Sequence, residues 1–183
     1  MQSLHYDLRD LPETATLLNR ASYSHFPIPG SICNSFITAP EPLQKIKLVS
    51  RSFPWCIDIA KSSGITLETL IRELHNFLWA PTNESEYWAT SDEHRARMFT
   101  AYHNNCAAAS VAPNSYIGYG GALEPSIRKV RAPNDPFRRI DWFLDHTILM
   151  GLEKDDDFVS IRINDPRLRE DTWVVSLGPN SAY

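Results

Sequence analysis

The sequence predicts an α+β fold: a mainly antiparallel sheet, two central helices packed on one face, and an extended N-terminal arm, all within a single domain of residues 1–183. Three observations carry this. Apolar residues recur at helical spacing in two central segments, strand-like alternation flanks those segments on both sides, and prolines punctuate the first 42 residues. With 183 residues, 43% hydrophobic and 22% charged, the chain has enough material for one packed core, and disordered and fibrous classes are excluded.

Pro12, Pro27, Pro29, Pro40 and Pro42 interrupt any long helix in the arm of residues 1–42, leaving at most a helical turn over 14–19. Residues 43–49 and 55–59 then alternate apolar and polar side chains, and the short link between them suits a hairpin. Leu67, Leu70, Ile71, Leu74, Phe77 and Leu78 define one face of a helix opposite Glu68, Arg72, Glu73 and Asn76. Thr66 is its N-cap, and Pro81 stops it. A second helix, from about Ser91 to Asn105, opens with a capping box of Thr90 and Glu93 and lines up Met98, Tyr102 and Cys106 on one stripe. Toward the C-terminus, 138–143 and 147–152 suit a hairpin around Asp145-His146, and 159–163 and 173–177 alternate as two further strands.

Residues 107–136 interrupt this order as a long loop, functional or disordered, with four prolines, a glycine-rich run at 118–121, and Tyr116 and Tyr119. Five basic residues between 128 and 139 face a single acid, Asp135. If the loop works as a surface, its tyrosines supply contact area, and its basic end favours an anionic group on the ligand or partner.

Composition narrows the function classes. A net charge of -4 argues against a nucleic-acid binder, and no apolar run approaches the 18 residues of a membrane span. The opening residues lack a secretory pattern, and three widely spaced cysteines, Cys33, Cys56 and Cys106, suggest buried, reduced thiols in a cytoplasmic protein. Neither a nucleophile elbow nor a phosphate-binding loop occurs. His103 and Cys106 share a helix face but have no second ligand pair, so no metal and no cofactor are expected.

Asp141 is the foremost candidate residue. A two-residue turn at Asp145-His146 would set its carboxylate on an apolar sheet face with Phe143, Ile148 and Met150, where it must find a partner or stay protonated. The structural reading is an ion pair or backbone hydrogen bonds tying the 107–136 loop to the sheet. The catalytic reading makes it a general acid or base beside His146 or His103. Trp55, Trp142 and Trp173 fall in strands as core residues, whereas Trp79, Tyr87 and Trp88 flank Pro81 between the helices and could line a binding surface.

The reading that follows is a binding or interaction module for a protein partner or a small-molecule ligand, using Tyr116, Tyr119, Trp79, Tyr87, Trp88, Arg128 and Arg138. The alternative is a cofactor-independent enzyme of small-molecule, or secondary, metabolism whose pocket the 107–136 loop closes, with Asp141, His146 and His103 as its acid and base groups. Neither nucleic acid nor membrane is expected as a partner.

Several short motifs, in order, resemble a family of uncharacterised domains from mushroom-forming fungi: Tyr6-Asp7-Leu8-Arg9 with Pro12, Pro54-Trp55-Cys56-Ile57-Asp58-Ile59, Gly64-Ile65-Thr66-Leu67-Glu68-Thr69-Leu70, Arg139-Ile140-Asp141-Trp142-Phe143-Leu144, and Gly151-Leu152. The resemblance covers most of the chain but not the 107–136 loop. It implies a eukaryotic, intracellular setting and assigns no catalytic residue.

Overall fold

The computed structural model describes residues 2–19, 21–37, 42–110, 131–132 and 134–180. The N-terminal segment consists of extended strands that fold back on one another. Gln2–His5 (β1) pairs antiparallel with Thr16–Asn19 (β2), which pairs antiparallel with Ser24–Pro27 (β3). The turn expected over 14–19 is therefore mostly strand, preceded by a short 3-10 turn, Pro12–Thr14. Leu17 and Leu18 are adjacent and both buried, which a strand covered on two faces permits and a surface helical turn does not. The prolines sit where they break no ladder: Pro12 opens the 3-10 turn and Pro27 ends the edge strand. A single helical turn, Gly30–Cys33 (α1), follows.

The second sheet starts with the expected hairpin, Lys45–Val49 (β4) against Ile57–Ala60 (β5). The chain then runs through Leu67–Trp79 (α2), Glu84–Trp88 (α3) and Asp92–Ser110 (α4) before returning as Ile148–Glu153 (β6), Asp156–Arg162 (α5) and Thr172–Gly178 (β7). Strand order is β5-β4-β7-β6, with β4 and β7 parallel and the other pairs antiparallel. The α+β class holds and antiparallel pairing dominates, but there are two sheets instead of one. Backbone bonds bridge them: Leu8 N–H donates to Thr147 C=O at 2.9 Å, and Leu149 N–H to Tyr6 C=O at 2.9 Å.

The helix α2 behaves as its pattern demands. Thr66 Oγ1 accepts the Thr69 N–H at 3.2 Å, and Leu70, Ile71, Leu74 and Leu78 are buried in the main core with Leu48, Ile57 and Phe143. The approach to that cap passes through Gly64, at φ +91°, where an added Cβ would stand 2.6 Å from the Phe36 ring. Only glycine fits there.

Four other expectations are corrected. Residues 139–143 form a 3-10 turn, not a strand, because Ile140 and Phe143 bury at a spacing of three, so the hairpin around Asp145-His146 does not form. Residues 159–163 belong largely to α5. Asp155 caps it by accepting the Phe158 N–H at 2.9 Å, acids fill its first turn, and Val159 and Ile163 bury one turn apart while Ile161 is 78% exposed. The α4 cap is Ser91, whose Oγ accepts the His94 N–H at 3.2 Å, one residue beyond the Thr90 of the expected box. The fourth concerns the long loop: its first residues, 107–110, continue α4, and 111–130 and 133 lie outside the described residues. The short α3, with an Asn83/Glu86 capping box, was not expected at all.

Among the described residues no helix is long and apolar enough to cross a membrane. The three cysteines are unpaired, and Cys56, expected in the interior, is exposed just ahead of β5.

A candidate interaction surface

Tyr87 and Trp88 on α3, His103 on α4, and Arg138 and Asp141 in residues 131–143 lie on three segments that meet. Asp141 is fully buried, as expected, but in the 3-10 turn and not on a sheet face. Its Oδ1 accepts from Arg131 Nη1 at 2.6 Å and from Asn105 Nδ2 at 2.8 Å, while Oδ2 accepts the Arg138 backbone N–H at 2.9 Å. One carboxylate thus joins α4, the segment returning from 111–130, and the entry to the 3-10 turn. Arg131 is itself buried, donates also to Pro136 C=O at 2.9 Å, and lies over the Tyr102 ring at 5.0 Å. Burial of either charge alone would be costly, and together they satisfy one another.

Above this ion pair runs a continuous band of rings. Phe137 is fixed by its carbonyl, which accepts the Thr82 N–H at 2.8 Å, and by stacking near Tyr102 (centroids 4.7 Å apart), Tyr87 (5.7 Å) and Phe99 (6.2 Å). Tyr87 meets Trp88 edge-on at 5.3 Å, and the Arg95 guanidinium covers Trp88 at 5.1 Å. On α4, Arg95, Phe99 and His103 form an i, i+4 stripe, with Phe99 and His103 in edge contact at 4.3 Å. Trp88 is 67% exposed and Phe99 52%. The floor is rigid because Arg139 grips Glu86 at 2.8 Å, locking α3 to the 3-10 turn.

The proposed sites of the sequence reading are dispersed by this geometry. Trp79 is a core residue whose indole N–H donates to Leu8 C=O at 3.0 Å, so it lines no surface. Trp55, Trp142 and Trp173 are half-buried against the main core. Arg138 donates to Trp79 C=O at 2.6 Å and pairs with Asp135 at 3.4 Å. With Arg131 and Arg139 also engaged internally, the three described basic residues of this stretch serve the fold. Tyr87 and Trp88 stand in the band. Tyr116, Tyr119 and Arg128 lie outside the described residues.

The acid and base candidates do not converge. Asp141 is enclosed, whereas His103 and His146 are exposed, and neither bonds to it among the described residues. His146 Nδ1 pairs with Asp145 Oδ1 at 2.8 Å, and this bond holds the Asp145 carboxyl below its ordinary range. Nearby, His94 packs on Trp142 at 4.4 Å, and burial followed by the Arg97 charge pushes its imidazole pKa down. An apolar groove of about 300 Å³ lies elsewhere, between Leu4, Phe36, Leu67 and Leu152, and contains none of the titratable candidates. Among the described residues no three metal-ligating side chains converge.

Sequence reasoning missed Phe99, Phe137, Arg95 and Asn105, and placed the partner of Asp141 in the 107–136 loop without singling out Arg131. The first and third were legible: Arg95, Phe99 and His103 repeat every four residues as a stripe flanking that of buried Met98. Asn105 was not, since its partner lies 36 residues away with no motif to join them, whereas Arg131 supplies the expected ion pair between the 107–136 loop and Asp141. The model of a family of unknown function (DUF6699) matches residues 4–158, a span holding every residue of the band and the ion pair beneath it. No curated protein and no solved structure matches the chain.

Proposed function

We propose that this chain, which belongs to the DUF6699 family of unknown function, is a binding module whose aromatic band receives a protein partner. The observation that carries the reading is the pair of large rings left in solvent yet held in place: Trp88 between Tyr87 and Arg95, and Phe99 between Phe137 and His103. Tryptophan, tyrosine and arginine dominate binding energy at protein interfaces, and pre-ordered side chains lose little entropy on docking. The enzymatic alternative needs two titratable groups converging on a cavity, and Asp141, its leading member, has its oxygens occupied by Arg131, Asn105 and Arg138. A partner that meets this surface brings apolar side chains to the rings, since Arg131, Arg138 and Arg139 are internally paired.

The setting we propose is the cytoplasm of a mushroom-forming fungus, supported by the motif resemblance and the three unpaired thiols. The test uses the full chain and its Trp88→Ala/Phe99→Ala variant as parallel baits in an extract of the source cells. Each captured protein is then purified and its affinity for both chains measured. The reading expects a partner whose affinity falls by about 30-fold or more in the double variant, the loss of at least one interface hot spot. It is contradicted if every captured protein binds both chains equally.

A further inference from the structure

A second, independent feature lies on the N-terminal sheet. His5 on β1 and His25 on β3 flank the middle strand, and the registers His5↔Thr16 and Leu18↔His25 put all four residues on one sheet face. Thr16 is small, so the two imidazoles lean together above it until their centroids stand 4.7 Å apart at an interplanar angle of 75°. Both rings are half-buried, and both remain open to solvent along part of their surface.

The hydrogen bonds define which nitrogen is available. The Thr16 hydroxyl lies 3.5 Å from the His5 carbonyl, to which it donates, and 3.0 Å from His25 Nδ1. The shorter of these contacts engages His25 Nδ1, so His25 Nε2 is the ring nitrogen turned from Thr16. Burial, then the neighbouring His25, disfavours the charged form of His5, while Asp7 and Asp10 act on it in the opposite sense. The result is a pair of imidazoles, one with its Nδ1 engaged by a hydroxyl and the other within the field of Asp7 and Asp10.

We propose that His5 and His25, converging over Thr16, form a two-imidazole site for a borderline divalent transition-metal ion, with water completing its shell. The geometry fits: metal–nitrogen bonds of about 2.0–2.1 Å and an angle of about 90–110° at the ion place two ring centroids about 4.5–5.2 Å apart. Imidazole suits Zn²⁺, Cu²⁺ and Ni²⁺. Thr16, through its contact with His25 Nδ1, is the group that orients the His25 ring. No third ligand joins the pair among the described residues, which makes the site an exchangeable one rather than a structural zinc centre. The two histidines lie 20 positions apart in the chain and match no metal motif, so only the register of three strands brings them together.

The test titrates Ni²⁺ into the untagged full chain and follows the imidazole NMR signals of all six histidines. Ni²⁺ is paramagnetic and prefers imidazole to the exposed Cys56 thiol. At sub-stoichiometric metal the His5 and His25 signals should broaden first, ahead of His94, His103 and His146. Affinity should fall about tenfold or more in His5→Ala and in His25→Ala, and by about tenfold in Thr16→Val. Uniform broadening across the six signals, which is adventitious binding only, overturns the proposal; so does wild-type affinity in both single histidine variants. The wild-type spectrum decides the matter even if a variant fails to fold.

Discussion

At the scale of the residue, charge burial organises this protein. Asp141 shows how far a carboxylate can be driven inside when three donors converge on it, and Asp7 shows a partly buried version of the same arrangement. Burial pushes the Asp7 carboxyl up, but the Arg9 hydrogen bonds and charge, with help from Thr147, outweigh it and hold the group below its ordinary range. A folded-state pKa below the unfolded value of about 3.9 means that the contribution is present above that pH and is lost as pH falls through the folded value. Denaturant unfolding at pH 5 and pH 3 should therefore show a larger acid loss in the wild type than in Asp7→Asn. The need of Asp141 for a partner was legible in the sequence, since an acid within an apolar run demands one. The kind of partner was legible too, an ion pair from the 107–136 loop with backbone support, and Arg131 and the Arg138 N–H supply it; Asn105 was not, because nothing local joins it to Asp141.

At the scale of the element, burial spacing separates what the sequence revealed from what it hid. The helix α2 was legible because cap, periodicity and stop agree, and Leu74→Ala should cost about 2–5 kcal/mol in denaturant unfolding through the cavity it leaves. The segment 159–163 misleads because its valine and isoleucines alternate as in a strand, while the preceding acids, Asp155, Asp156 and Asp157, cap and charge a helix start. A strand would bury Val159, Ile161 and Ile163 together; the helix turns Ile161 outward. Accordingly Ile161→Glu should change stability by less than about 0.5 kcal/mol, and Val159→Ala should destabilise by about 1 kcal/mol or more. The 139–143 turn hid for the same reason, since a spacing of three over five residues is too short to distinguish from alternation. Gly64→Ala should weaken the entry to α2, because the new Cβ meets both Phe36 and Pro42 in a backbone conformation that alanine disfavours.

At the scale of the whole molecule, long-range closure defines the architecture. The parallel β4–β7 pair joins residues 47–49 to 172–174, and the 6–8 to 147–149 bridge joins the two sheets. Neither contact has a local signature, so the class was legible and the division into two sheets was not. The aromatic band has the same origin: Tyr87 and Trp88 were legible as an amphipathic pair, but Phe137 joins them only because Asp141 and Arg131 draw the returning chain under α4. The account therefore rests on Asp141 as the joint of this surface and not as a proton carrier, and the melting temperature of Asp141→Asn tests that most directly. Asparagine keeps the shape but leaves the Arg131 guanidinium buried without a counter-charge, and its amide opposes either that cation or the Arg138 N–H. A loss of about 3–5 kcal/mol follows, a fall of roughly 10 °C for a chain of this size. A melting temperature equal to or above that of the wild type would contradict the account and point back to a carboxylate kept for chemistry.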